Sequence, residues 1–265
     1  KMTMQETPPA ILFLPDFGLR DPYAVQMIAA VFRPFPRACM LDLTHGVQPF
    51  NTRQAGFFLY SSLTHAPEES VFTCVVDPGV GSNRRIVLLR MKNRWVLAPD
   101  NGLVSLALAR TKAQECLQIR TPPGVSSTFH GRDIFAPAAA ALAAGTDPAE
   151  LGKSLNPEEL VIDRRMTPDI RENQINCLVL HVDRFGNAVL NLGPGDERLQ
   201  SVDFTRYKLA GRNISPANFY GELSGDELGI LAGSQGFLEL ALNQKNAARE
   251  LGLEPGQEIV FTPCA

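Results

Sequence analysis

The sequence predicts an α/β protein: an amino-terminal domain with a mainly parallel sheet, followed by a smaller, β-rich, barrel-like carboxyl-terminal domain. Three observations carry this. Short apolar runs alternate with helical patterns through the first half of the chain, and most of these runs empty into loops of Asp, Gly and Pro. From Ile175 the texture changes to short β runs separated by Gly and Asn. The expected boundaries are 1–150 for the α/β domain, 151–174 for a polar, proline-punctuated linker, and 175–265 for the β domain.

In chain order, "ILFLPDFG" (11–18) reads as a buried strand ending in a loop. In "DPYAVQMIAAVF", Asp21 is a natural N-cap and Pro22 suits a first helical turn, while Val25, Ile28, Ala29 and Phe32 recur at helical spacing. A second strand in "ACMLDLTHGV" precedes a helix over 52–63. "SVFTCVVDPGVGS" is again strand then loop, and "RIVLLRM" with "RWVLAPDNG" forms a hairpin leading into the helical "LVSLALAR". "IFAPAAAALAAG" is a compact helix closed by Gly145. The runs "INCLVLHVD", "NAVLNL", "ELGILAG", "FLELAL" and "EIVFTP" are the strands of the second domain.

Composition narrows the function. The chain has 265 residues, 20% of them charged, and a net charge of −3, with no basic run to track nucleic-acid phosphates. No apolar run is long enough to span a bilayer. No signal-peptide pattern is present, although a start at Lys1 rather than Met leaves room for a removed leader. Five scattered cysteines (39, 74, 116, 177, 264) without a CxxC pair fit a reducing compartment, hence the cytoplasm, and argue against zinc-thiolate ligation. The four histidines (45, 65, 130, 181) show no HExxH or HxH spacing.

Five loops gather polar groups at strand ends: Asp16 in "PDFG", Asp77 in "VVDPGVG", Asp100 and Asn101 in "PDNG", His130 and Asp133 in "FHGRD", and Asp183 and Asn187 in "DRFGN". Any one of them is ordinary turn chemistry. Together they place carboxylates where α/β proteins bind ligands. "DPGVGS" lacks the GK[ST] ending of a P-loop, and no GxGxxG follows the first strand. Two readings remain from the residues alone. One is a metal-dependent phosphoester hydrolase with Asp16, Asp77, Asn101 and His130 as ligands; the other is a metal-free site in which Asp, Arg and His act on water.

The ordered set "PDFG", "VVDPGVGSNRR", "APDNG", "TFHGRDIFAPAAA", "VDRFGN" and "GSQGFLELALNQKNAA" resembles the S-adenosylmethionine (SAM) hydroxide adenosyltransferase family, hydrolase relatives of fluorinase and chlorinase. The resemblance runs from about Ile11 to Val260. It implies hydrolysis of SAM to adenosine and L-methionine, without a cofactor. It also implies a cytoplasmic homotrimer whose ligand lies between domains of neighbouring subunits. Asp77, Arg84 and His130 then match the water-activating set, with Arg85 the alternative if the loop shifts by one. Asp16 matches the carboxylate on the ribose hydroxyls, Asp183 the partner of the methionine ammonium, Asn187 the reader of the adenine edge, and Ser234 the hydroxyl on the methionine carboxylate. Phe185 and Tyr220 are expected to stack on adenine, with Phe219 competing for the second place and core packing the ordinary alternative for all three.

The chain departs from the family pattern at Pro15, where a threonine is usual, so a hydroxyl and a backbone donor are absent there. Gly131 stands where the halogenating relatives carry a halide-binding serine, and a carboxylate at Asp77 repels halide. Water is therefore the expected nucleophile. A non-catalytic adenosine or SAM sensor is the competing class. Asp100 and Asn101 are expected to shape their loop, Arg132 and Asp133 to hold the "FHGRD" turn and cap the next helix, and His45, His65 and His181 to be structural.

Overall fold

The computed structural model describes residues 8–264, so the question of a removed leader falls outside the described residues. The chain divides into two compact units between Asp163 and Arg164.

The first unit contains β1 (Ala10–Pro15), α1 (Tyr23–Phe32), β2 (Cys39–Asp42), α2 (Thr52–Leu63), β3 (Val71–Val75), β4 (Ile86–Met91), β5 (Arg94–Pro99), α3 (Ser105–Arg110), β6 (Glu115–Ile119), α4 (Ala136–Ala143), α5 (Pro148–Leu151) and β7 (Gly152–Ser154). Its seven strands run in the order β2-β1-β3-β5-β4-β6-β7. β2, β1, β3 and β5 are mutually parallel, and β4, β6 and β7 extend the sheet antiparallel. The parallel half matters most, because the carboxyl ends of β1, β3 and β5 emerge on one edge and carry Asp16, Asp77 and Asp100.

The strands of the parallel half are apolar on both faces because both are covered. Leu12, Leu14, Phe72 and Cys74 pack with Ala55 and Leu59 of α2, while Ile11, Phe13, Val71 and Val75 pack with Met27 and Val31 of α1 and Ala139 of α4. The expected hairpin is β4–β5, paired from Ile86↔Pro99 to Met91↔Arg94. Lys92 and Asn93 both have positive φ, as a two-residue turn matched to strand twist requires.

The helix expected over 52–63 forms with those bounds, its first turn capped by the Asn51 side chain, which accepts from Gln54 N at 3.0 Å. Helix α1 differs from expectation. It starts at Tyr23 with Pro22 at the cap position and no side-chain cap, so Asp21 does not cap it. The buried residues are Met27 and Val31, whereas Val25 is 61% and Phe32 52% exposed. The helix is apolar nearly all round, so spacing alone did not choose its inward face.

The stretch 151–174 is not an irregular linker throughout. β7 pairs with β6 in the first unit, and β8 (Asp169–Arg171) pairs with β9 in the second. The second unit continues with β9 (Gln174–Val182), β10 (Ala188–Leu190), β11 (Tyr207–Leu209), β12 (Arg212–Asn213), β13 (Ser215–Pro216), β14 (Gly229–Ala232), β15 (Leu238–Ala241), α6 (Ala247–Leu251) and β16 (Glu258–Pro263). The strand path is β12-β11-β16-β9-β10-β15-β14-β13, and only Ile214 separates its two end strands in sequence, giving a nearly closed, barrel-like sheet. Its interior holds Ile175, Cys177, Val179, Leu190, Phe204, Ile230, Leu240 and Phe261. None of the five cysteines forms a disulfide.

Candidate active site

In the first unit the structure brings Asp77, Arg84 and His130 together. Arg84 Nε lies 2.9 Å from Asp77 Oδ1 and 2.8 Å from Oδ2, and its Nη2 also donates to Oδ2. The same Nη2 reaches His130 Nδ1 at 2.7 Å. Because a guanidinium only donates, Nδ1 is the acceptor and the ring proton sits on Nε2. Burial, reinforced by the Arg84 charge, lowers the His130 pKa from its ordinary value, against the weaker pull of Asp77 and Asp133. His130 is only 7% exposed, so a neutral imidazole is the form its surroundings favour.

Local sequence explains how these groups meet. The loop after β3 turns on Gly81, whose φ is +80°, and a Cβ there would lie 2.2 Å from the Ser127 carbonyl oxygen. That close approach sets the Asp77–Arg84 loop against the segment leading to His130. His130 itself precedes a π-helical turn, Gly131–Phe135, which runs directly into α4. Phe17, Tyr23 and Phe129 form an edge-to-face trio with centroids 5.3–6.0 Å apart, tying the "PDFG" loop to the "FHGRD" turn. This trio was not singled out in the sequence; the aromatic residues flanking Asp16 and His130 were its only signal.

Asp16 accepts a hydrogen bond from Phe50 N at 2.8 Å. Burial raises its pKa, the Phe50 bond opposes the rise, and the Asp77 charge adds to it. Phe50 holds φ +66°, and its side chain is exposed. Pro15 completes β1, paired with Val75. Arg85 turns away from His130 and binds Asp100, Nε to Oδ2 at 2.7 Å, so Arg84 is the arginine of the cluster. Asn101 Nδ2 donates to Val76 O at 3.0 Å and Asp100 Oδ1 accepts from Val161 N at 2.8 Å, so both residues brace loops. Asp133 does hold its turn, accepting from Ser126 N at 2.9 Å, but α4 has no side-chain cap because the π turn already continues into it. His45 bonds Asp42 at 2.8 Å, and its carbonyl accepts from Gly18 N. Among the described residues no three His, Cys, Asp or Glu side chains form a group able to hold a metal ion.

In the second unit Asp183 organises its own loop. Oδ1 accepts from Phe185 N (2.9 Å) and Asn187 N (2.8 Å), and Oδ2 accepts from Asn187 Nδ2 (2.9 Å). Asn187 is buried while Phe185 is 77% exposed. Phe219 and Tyr220 are also exposed, at 58% and 42%, so none of the three aromatics packs into the core. Ser234 lies exposed in the turn between β14 and β15. One residue that sequence reasoning passed over stands beside them: Glu239 of β15, buried, accepts the Tyr220 hydroxyl at 2.9 Å. Its signal was a lone charge inside the apolar "FLELAL".

A doubly covered α/β sheet ending in a buried carboxylate–guanidinium–imidazole cluster, joined in one chain to a barrel-like β unit, defines a two-domain enzyme class built to act on a small polar ligand. The comparisons with known proteins are specific. Residues 11–152 match the SAM hydroxide adenosyltransferase N-terminal domain and residues 177–260 the C-terminal domain of the same family. The chain belongs to the SAM hydroxide adenosyltransferase family. It is 35% identical to the (R)-S-adenosyl-L-methionine hydrolase of Thermus thermophilus, covering 94% of this chain and 98% of that one. A fluorinase from Nocardia brasiliensis is 24% identical, with 94% and 95% covered. An uncharacterized conserved protein from Thermotoga maritima has a crystal structure similar to this fold, with a TM-score of 0.85 and 33% identity over 95% of this chain and 99% of that one.

Proposed function

We propose that this protein hydrolyses (R)-S-adenosyl-L-methionine to adenosine and L-methionine. The observation that carries the reading is the Asp77–Arg84–His130 cluster, found in a chain whose relatives of that name match it over nearly their full length. In this reading a water oxygen forms a bond to ribose C5′ while the C5′–S bond breaks and its electron pair stays on sulfur. The leaving group is a neutral thioether, so no acid is required at sulfur. Attack by hydroxide on a sulfonium ion annihilates charge, which a site stripped of water favours.

The residues divide the work by their hydrogen bonds. With Nδ1 occupied by Arg84, His130 presents an Nε2–H donor and orients the water rather than taking its proton. Asp77 Oδ2 receives two Arg84 bonds and Oδ1 one, leaving Oδ1 a lone pair to accept the proton. Arg84 supplies the positive charge that stabilises hydroxide character. General-base assistance contributes roughly 10²–10⁴-fold, so alignment of water with C5′ supplies much of the rest.

The same proposal gives Asp16 the ribose hydroxyls, Asp183 and Ser234 the methionine ammonium and carboxylate, and Asn187, Phe185 and Tyr220 the adenine. It further includes a homotrimer in which neighbouring subunits complete the ligand site, no cofactor, and a cytoplasmic location. The unpaired cysteines support a reducing compartment, and among the described residues no helix is long and apolar enough to cross a membrane. The test is to incubate the purified chain with SAM, with and without EDTA and in high chloride, and to chromatograph the products. Adenosine and methionine in every arm support the reading. Their absence, or a 5′-chloro product, sinks it; light scattering checks the trimer.

A further inference from the structure

Glu239 is a charged residue in the middle of an apolar sheet. It is 6% exposed and stands between Val189 of β10 and Leu231 of β14. Its neighbours on that face, Leu223, Leu231 and Ala241, form a small apolar cluster. Among the described residues the carboxylate meets no cationic partner; it accepts a hydrogen bond from the Tyr220 hydroxyl, 2.9 Å from Oε2. A Cβ at Gly233 would lie 1.9 Å from Glu239 Oε1, so the β14–β15 turn leaves out a side chain where the carboxylate sits. Burial raises the Glu239 pKa, and the Asp183 charge raises it further.

An apolar residue at 239 would fit this face at less cost, since an unpaired buried carboxylate is unfavourable. A purely structural account leaves the arrangement unexplained. What the carboxylate does accomplish is to hold one atom of an otherwise open side chain. The Tyr220 ring is 42% exposed and would turn about two side-chain dihedrals if its hydroxyl were free. Burial and the bond to Glu239 push its phenol up to about 12, so it remains a donor throughout the neutral range.

We infer that Glu239 is a positioning residue for the ligand: by accepting the Tyr220 hydroxyl it fixes the plane of that ring, which forms a wall for the nucleoside base. The inference rests on the reading of Tyr220 as part of the ligand site. A ring locked before binding loses less freedom when the base stacks on it, so its orientation is felt in affinity rather than in the bond-breaking step.

The test uses the full chain, with SAM as substrate. Glu239→Leu and Tyr220→Phe are each expected to raise KM about tenfold, with kcat changed less than about threefold, and the double variant to be no worse than either alone. Glu239→Gln keeps an acceptor oxygen and is expected to restore KM to within about threefold of the parent. If Glu239→Leu leaves KM unchanged while Tyr220→Ala raises it, positioning by Glu239 is refuted and Tyr220 keeps its role. If Tyr220→Ala itself leaves KM unchanged, the placement of Tyr220 at the ligand is wrong and the inference goes with it. Should Glu239→Leu fail to fold, Glu239→Gln and Tyr220→Phe still decide: loss of affinity in the first, or none in the second, overturns the inference.

Discussion

The Nη2 of Arg84 lies 2.7 Å from Nδ1 of His130, while the same guanidinium is forked onto Asp77. One arginine therefore sets both the tautomer of the imidazole and the orientation of the carboxylate. A lysine, with a single ammonium, cannot make this pair of fixed contacts.

Replacement of Arg84 separates stability from chemistry. Arg84→Leu leaves Asp77 buried without its partner, and breaking such a pair costs about 3–5 kcal/mol. Denaturant titration should show this loss. Arg84→Lys should retain more stability yet still lower kcat at least tenfold, because the donor to Nδ1 is gone.

Removal of the water-directing groups should act on rate. His130→Ala and Asp77→Asn are each expected to lower kcat by roughly 10²-fold or more with KM changed far less. Steady-state kinetics on SAM read both parameters. Full rate in both variants would show that the cluster does not act on water.

The pH profile has a defined sign. His130 titrates below its ordinary value of 6.5, so as pH falls the unfolded chain takes up the proton first. The stability gained from the neutral ring is complete above pH 6.5 and declines as pH drops through the window below it. His181, lowered by burial, shifts in the same direction. Accordingly kcat/KM should be level through neutral pH and fall on the acid side with an apparent pKa below 6.5. An acid limb above neutrality that vanishes in His130→Gln would contradict this.

Asp183 should prove structural as well as ligand-directed. Asp183→Ala frees the N–H groups of Phe185 and Asn187 together with the Asn187 amide. With buried Asn187 left unpaired, the expected loss is about 1–3 kcal/mol, read from thermal or chemical unfolding without ligand. Asp183→Asn keeps an oxygen acceptor and should recover part of that stability without recovering affinity for SAM.

Much of this molecule was legible in the sequence, and what was not has physical causes. The β4–β5 hairpin and α2 were readable because each combines its hydrophobic period with a local stop: Lys92–Asn93 in one, Asn51 in the other. The inward face of α1 was not, because Val25 and Phe32 are as apolar as Met27 and Val31 and only the packing of α4 and the sheet distinguishes them. β7 and β8 are three residues each, too short to show alternation among polar neighbours. Among site residues, Asp16 and Asp77 sat beside Pro at the ends of apolar runs, Asp183 closed another such run, and His130 and Asn187 stood beside Gly, so turn chemistry drew attention to each. Glu239 did not, because its meaning depends on a tyrosine 19 residues away, brought near only by the folding of the second unit.

The π turn at Gly131–Phe135 has a consequence for how this site tolerates change. A π turn is an α-helix holding one surplus residue. Five residues of the π turn make nearly the same revolution as four of an α-helix, so losing one of the five would restore regular helical bonding while leaving the direction of His130 toward Arg84 nearly unchanged. The surplus residue is absorbed inside the turn, so a single deletion that spares Asp133, which accepts from Ser126 N, should cost the site less than its nearness to His130 suggests.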